Sequence, residues 1–195
     1  MRGEICTVLP RLLTAALVLG ACAGGAGPRD AADLTNVFLS PSWSQWMVGP
    51  IGALATSEEV AAFQAVTSDE AAAAFAEQFW ARRDPDPERP GNPVRELFET
   101  RAEQADRRFS EAGYLGRRTA RGTVFVLHGA PAEIRYESPR RPGQEPIEVW
   151  VYSDETAQGL DGQPPQRWYR FVKEGELTVR YRGPGPPGSP SRERF

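Results

Sequence analysis

The chain has 195 residues, of which 40% are hydrophobic, 10% aromatic and 25% charged, with a formal net charge of −3. That balance suits one compact domain with tails and excludes collagen, coiled coil and wholesale disorder. One histidine (His128) and two cysteines (Cys6, Cys22) leave no expected metal or cofactor, and the negative charge makes nucleic acid a poor partner.

Arg2 and Arg11 precede an unbroken small and apolar run, Leu12–Gly20. A bilayer span needs about twenty such residues, so the run is too short to cross one but fits a signal-peptide core. It ends in Leu19-Gly20-Ala21-Cys22, which resembles a bacterial lipobox. The resemblance implies a signal peptide over 1–21 and acylation of the Cys22 thiol, so that the mature chain begins there and folds without a disulfide. Ala23, rather than an aspartate, implies the periplasmic face of the outer membrane. Residues 22–36 are Gly-rich at first and read as a flexible tether. In Val37–Leu54, Phe38, Leu39, Trp43, Trp46, Met47, Val48 and Ile51 stand among prolines and glycines. That stretch reads as an irregular lead-in packed on the domain; the other reading is contact with a nearby bilayer.

Helical signals follow. Thr56-Ser57-Glu58-Glu59 has the spacing of a capping box, with Val60, Phe63 and Val66 on one face behind it. Ser68 repeats the device ahead of a helix whose stripe is Ala72, Phe75, Phe79 and Trp80, stopped by Asp84-Pro85-Asp86-Pro87. Asn92-Pro93 caps a third helix with inner face Val94, Leu97, Phe98, Ala102, Ala105 and Phe109, and Gly113 reads as its C-terminal cap.

Beyond Gly116 the period changes to two. Thr123–His128, Ile147–Tyr152, Arg167–Val172 and Glu176–Tyr181 read as strands, the last two joined by a turn at Lys173-Glu174-Gly175. Helices first and strands afterwards predict an α+β fold, N-terminal helices packed on a small antiparallel β-sheet, over residues 37–182. Residues 183–195, rich in Pro and Gly, read as a disordered tail.

The familiar nucleophile, phosphate and metal motifs are missing. His128, with Glu133 nearby, is a conceivable general base, and Asp154 and Glu155 are a carboxylate pair in a turn. Charge is unevenly spread: Asp30–Ala81 holds seven acids and no base, whereas Arg107–Arg121 holds five arginines against Glu111 alone. The arginine-rich segment suggests a surface for an anion or a protein partner, with Arg117 and Arg118 exposed in a loop.

An ordered set of short pieces carries a family resemblance. Phe79-Trp80-x-x-Arg83-Asp84-Pro85-x-Pro87, Asn92 and Arg101-x-x-x-Ala105-Asp106-x-x-Phe109 come first. Gly116-x-x-Thr119-x-Arg121-Gly122, Gly129-x-Pro131-x-x-Ile134 and Glu148-x-Trp150-x-Tyr152 follow. Together they resemble the GWxTD domain of bacterial envelope proteins. In the naming motif this chain reads Gly116-Arg117-Arg118-Thr119-Ala120, without the tryptophan and the aspartate. The resemblance implies a fold and an envelope location, and no activity.

Glu148, Trp150 and Tyr152 should share one sheet face. Arg83, Arg101 and Arg121 could then meet Asp84, Asp106 and Glu148 in one polar network, with Thr119 beside it, fixing the helices against the sheet. The functional expectation is a lipid-anchored envelope protein acting as a binding or interaction module for an envelope protein or an anionic ligand. The alternatives are an envelope hydrolase or carbohydrate-processing enzyme using His128 or a carboxylate pair, and a structural lipoprotein whose aromatic lead-in packs on a membrane partner.

Overall fold

The computed structural model describes residues 29–138, 143 and 145–183. The expected signal peptide, Cys22, the first part of the tether and the tail beyond Gly183 lie outside the described residues.

Two short helices, α1 (Pro41–Ser44) and α2 (Pro50–Leu54), lead into α3 (Ser57–Gln64), α4 (Asp69–Ala81) and α5 (Pro93–Phe109). A 3-10 turn (Gly116–Arg118) and α6 (Ala120–His128) follow, and then β1 (Glu133–Glu137), β2 (Ile147–Val151), β3 (Trp168–Glu174) and β4 (Leu177–Arg180). The fold is α+β: helices in the N-terminal part and one antiparallel sheet in the simple order β1-β2-β3-β4.

The helix starts follow the local chemistry. Thr56 and Glu59 form the reciprocal capping box of α3, the Ser68 hydroxyl accepts the Ala71 N–H at the start of α4, and the Asn92 side chain accepts from Val94 and Arg95 ahead of Pro93. Each satisfies backbone donors that a helix start leaves unpaired. Phe79, Trp80, Phe98 and Phe109 are buried, the first three packed in series along the helices and Phe109 5.4 Å from Trp150 of β2. Leu97, assigned to the inner face of α5, is 43% exposed instead. Gly113 is not the C-cap of α5: the helix ends at Phe109, and Gly113, at φ +78°, sits in the turn Glu111–Tyr114.

The lead-in is more ordered than its composition suggests. Leu34, Asn36, Leu39, Met47 and Ile51 are buried, so the tether does not extend to residue 36. Trp46 packs among Phe63, Phe75 and Phe79 with ring centroids 5.3–6.1 Å apart, and α2 lies against α6. Arg29 fixes the first described residue by donating to the Gly52 and Ala55 carbonyls.

The segment Thr123–His128 is helical, not a strand. Thr119 caps α6, its hydroxyl accepting the Gly122 N–H at 3.1 Å. Val124, Phe125, Val126 and Leu127 are then buried one after another. A short run buried on all sides has no polar face to reveal its period, so β-branched composition misleads. The fourth strand is β1, Glu-Ile-Arg-Tyr-Glu, whose charged sequence gives little strand signal.

Candidate functional site

The segment between α5 and α6 packs tightly before it opens onto a cavity. A Cβ on Gly116 would stand 1.9 Å from the Ala105 carbonyl oxygen, and one on Gly122 would stand 1.7 Å from the Gly116 oxygen. Both glycines are therefore demanded by close backbone approach, not by a turn. Thr119, only 6% exposed, donates its hydroxyl to the Gly116 carbonyl while capping α6. Arg117, in the position of the missing tryptophan, clamps Asp106 from α5: its backbone N–H donates to Oδ1 at 2.8 Å, and its Nε and Nη2 lie 2.8 and 2.7 Å from Oδ2. Ala120 is the first residue of α6. Read physically, this stretch sets the helix–helix distance and starts a helix.

One turn further on, Arg121 reaches between two carboxylates. Its Nη2 lies 3.1 Å from Glu111, in the turn after α5, and its Nη1 3.2 Å from Glu148 on β2. Glu111 also accepts the N–H and the hydroxyl of Thr178 on β4, and Glu148 accepts the Trp150 indole N–H at 2.6 Å. Helix, turn and two strands are thereby tied at one point. The Arg121 Nε is buried without a hydrogen-bond partner among the described residues. These groups floor an open cavity of about 410 Å³ with Phe171, and Tyr136, Glu145, Lys173 and Glu176 stand in its wall. Four carboxylates face two cations there, so the cavity is net acidic.

The single network expected from the sequence does not form, and its members are dispersed over the fold. Of its members, only Arg121 and Glu148 meet each other. Arg83 pairs with Glu59 of α3 at 2.6 Å, donates to the Leu54 and Phe79 carbonyls, and lies 3.6 Å above the Phe79 ring. Burial pushes the Glu59 carboxyl up, but hydrogen bonds from Arg83, the Thr56 backbone and Arg82 outweigh it and hold the group at about 2. Asp84 instead accepts the Asp86 N–H in the Pro-rich turn. Arg101 donates to the Val126 and Leu127 carbonyls at the end of α6, and burial lowers its pKa.

The expectation that Arg117 and Arg118 stand free in a loop is not met. Arg117 is engaged by Asp106, and Arg118 is half-buried and donates to the Gln45 side chain at 2.7 Å. Loop position alone conceals such long-range pairing.

His128 ends α6 rather than a strand and does not line the cavity. Its ring packs 5.6 Å from Tyr169 and 6.1 Å from Tyr152, and its Nδ1 is buried without a partner among the described residues. Burial lowers its pKa, and the Asp161 carboxylate offsets this in part. Asp154 and Glu155 are exposed. Among the described residues no group of three His, Cys, Asp or Glu is placed to hold a metal ion. The site residues that sequence reasoning missed are Glu111, Thr178, Tyr136 and Lys173. In the sequence Glu111 stands out only as the one acid of the arginine-rich segment, and the others gain their place only when the sheet closes.

Fold and site together define a helix-on-sheet domain with a carboxylate-rich cavity at its junction. A family model described as the GWxTD domain matches residues 35–163. The chain belongs to that family. Comparison with curated proteins and with solved structures finds no match.

Proposed function

We propose that this protein is an envelope lipoprotein, held to the membrane through Cys22, whose domain is a binding module with the Arg121 cavity as its recognition site. The observation that carries the binding reading is the Glu111–Arg121–Glu148 triad. Its groups are held by their own hydrogen bonds to three elements, so the cavity has a fixed floor and needs little reordering to bind. The favoured ligand is a protein segment offering a cationic or hydrogen-bond-donating group, since four acids outnumber two bases. An anionic ligand at Arg117 would have to displace Asp106. Hydrolysis has less support, because His128 lies outside the cavity and Arg121 already engages both floor carboxylates. No helix among the described residues is long and apolar enough to cross a membrane, and the anchoring half of the proposal rests on the Leu19–Cys22 pattern.

The test uses the full chain in bacterial envelopes. Fatty-acid labelling should be lost in Cys22→Ser, and a labelled variant would remove the anchor. A photoreactive side chain at Tyr136 should give a discrete protein adduct that Glu145→Lys with Glu176→Lys weakens at least fivefold. An adduct indifferent to those reversals would remove the cavity as the recognition site.

A further inference from the structure

The loop Asn36–Leu39 exposes large apolar side chains from an unusually firm base. Asn36 is 1% exposed and donates to the Phe63 and Val66 carbonyls at 2.8 Å, while its side-chain oxygen accepts the Phe38 N–H at 3.0 Å. Leu34 before it and Leu39 after it are buried. Between these fixed points Val37 is 80% and Phe38 71% exposed, the two most exposed large apolar residues described. A mobile loop could turn such side chains inward; a loop pinned on both sides holds them in solvent, against the ordinary preference for burial.

The covalent path to the proposed anchor decides what meets them. Arg29 is fixed on the domain by the Gly52 and Ala55 carbonyls. Six residues separate it from Cys22. Even fully extended, the seven steps from Cys22 to Arg29 span at most about 25 Å. From Arg29 the chain folds through successive turns, Asp33 to Asp30, Leu34 to Ala31 and Thr35 to Ala32, directly into the pinned loop. An acyl group on Cys22 would therefore hold Arg29, and the turns that lead from it to the loop, within about 25 Å of the anchored cysteine.

We propose that Val37 and Phe38 are a second membrane contact, inserting into the interfacial layer of the bilayer that holds the acylated Cys22 and fixing which face of the domain looks at the membrane. The inference rests on the anchoring part of the proposed function. Its chemistry is that of a two-signal attachment, in which a few inserted apolar groups reinforce the lipid. Asp30 and Asp33 are exposed close by in the chain, so the contact suits a zwitterionic surface better than an anionic one.

The experiment exploits the cysteine inventory. If the signal peptide is removed and Cys22 acylated, neither native thiol remains, and Val37→Cys provides a unique site for a small environment-sensitive dye; Tyr136→Cys on β1, 70% exposed, is the comparison. The acylated full-length variants are reconstituted into phosphatidylcholine vesicles. The dye at 37 should be quenched at least twofold by lipids brominated on the acyl chain and be several-fold less accessible to aqueous iodide than the dye at 136. Protein that floats with the vesicles while position 37 stays as iodide-accessible as 136 overturns this contact and leaves the anchor standing. Shielding from both quenchers would point to a protein neighbour and also overturns it. Failure to acylate or to float removes the anchor and this inference together.

Discussion

Two neighbouring regions, built from one short stretch of chain, behave in opposite ways. From Gly116 to Thr119 the backbone lies against α5 so closely that no side chain fits at Gly116, and the polar groups are consumed internally. At Arg121 the same stretch turns to a cavity of about 410 Å³ whose charged groups meet solvent. The family's naming motif falls on the first region. In this chain the motif builds a joint, and the surface that can recognise something lies beside it.

Substitutions that discriminate between joint and cavity should fall in a definite order. Gly116→Ala is the most severe: its Cβ would collide with backbone, which cannot rotate away, and we expect a loss of about 3 kcal/mol or more in denaturant melts, or failure to fold. Phe98→Ala, a pure core truncation, should cost about 3 kcal/mol and calibrates the scale. Arg121→Ala should cost about 2 kcal/mol, because Glu111 and Glu148 are 13% and 16% exposed and lose their shared cation. Restoring part of that loss by adding Glu148→Gln would place the cost in the stranded charge; no restoration would place it in lost packing on Phe109. Arg117→Ala should cost about 1 kcal/mol, since its Asp106 pair is partly open to water and the backbone N–H bond survives. A loss equal to that of Arg121→Ala would erase the distinction between a tied surface pair and a cavity floor.

A separate set of effects is in pH. Glu59 is held down at about 2 in the fold, against 4.5 for an ordinary glutamate, so its contribution is present above 4.5 and is lost as pH falls from 4.5 toward 2. His128 is also lowered, from 6.5, by burial; the unfolded chain takes the proton first, and stability should begin to fall as pH drops below 6.5. Denaturation midpoints across pH should show both steps, the upper one flattened in His128→Gln and the lower one in Glu59→Gln. An unchanged upper step in His128→Gln would mean that another group causes it.

The sequence alone determined three of the helices. Thr56, Ser68 and Asn92-Pro93 act within one turn of chain, so α3, α4 and α5 could be read without knowing what they pack on. The strands β2, β3 and β4 were legible from their β-branched and aromatic residues, with alternating burial along β3. Tertiary structure alone decided that Val124–Leu127 is helical, because burial against several elements at once erases the period that would have announced it. It also decided the partners of the arginines. Arg83 finds Glu59 at a separation of 24 residues, Arg121 finds Glu148 at 27, and Glu111 meets Thr178 at 67. Local rules fix the shape of an element, but a charge on a long side chain is neutralised by whatever the fold brings within about 3 Å, and that choice belongs to the whole chain.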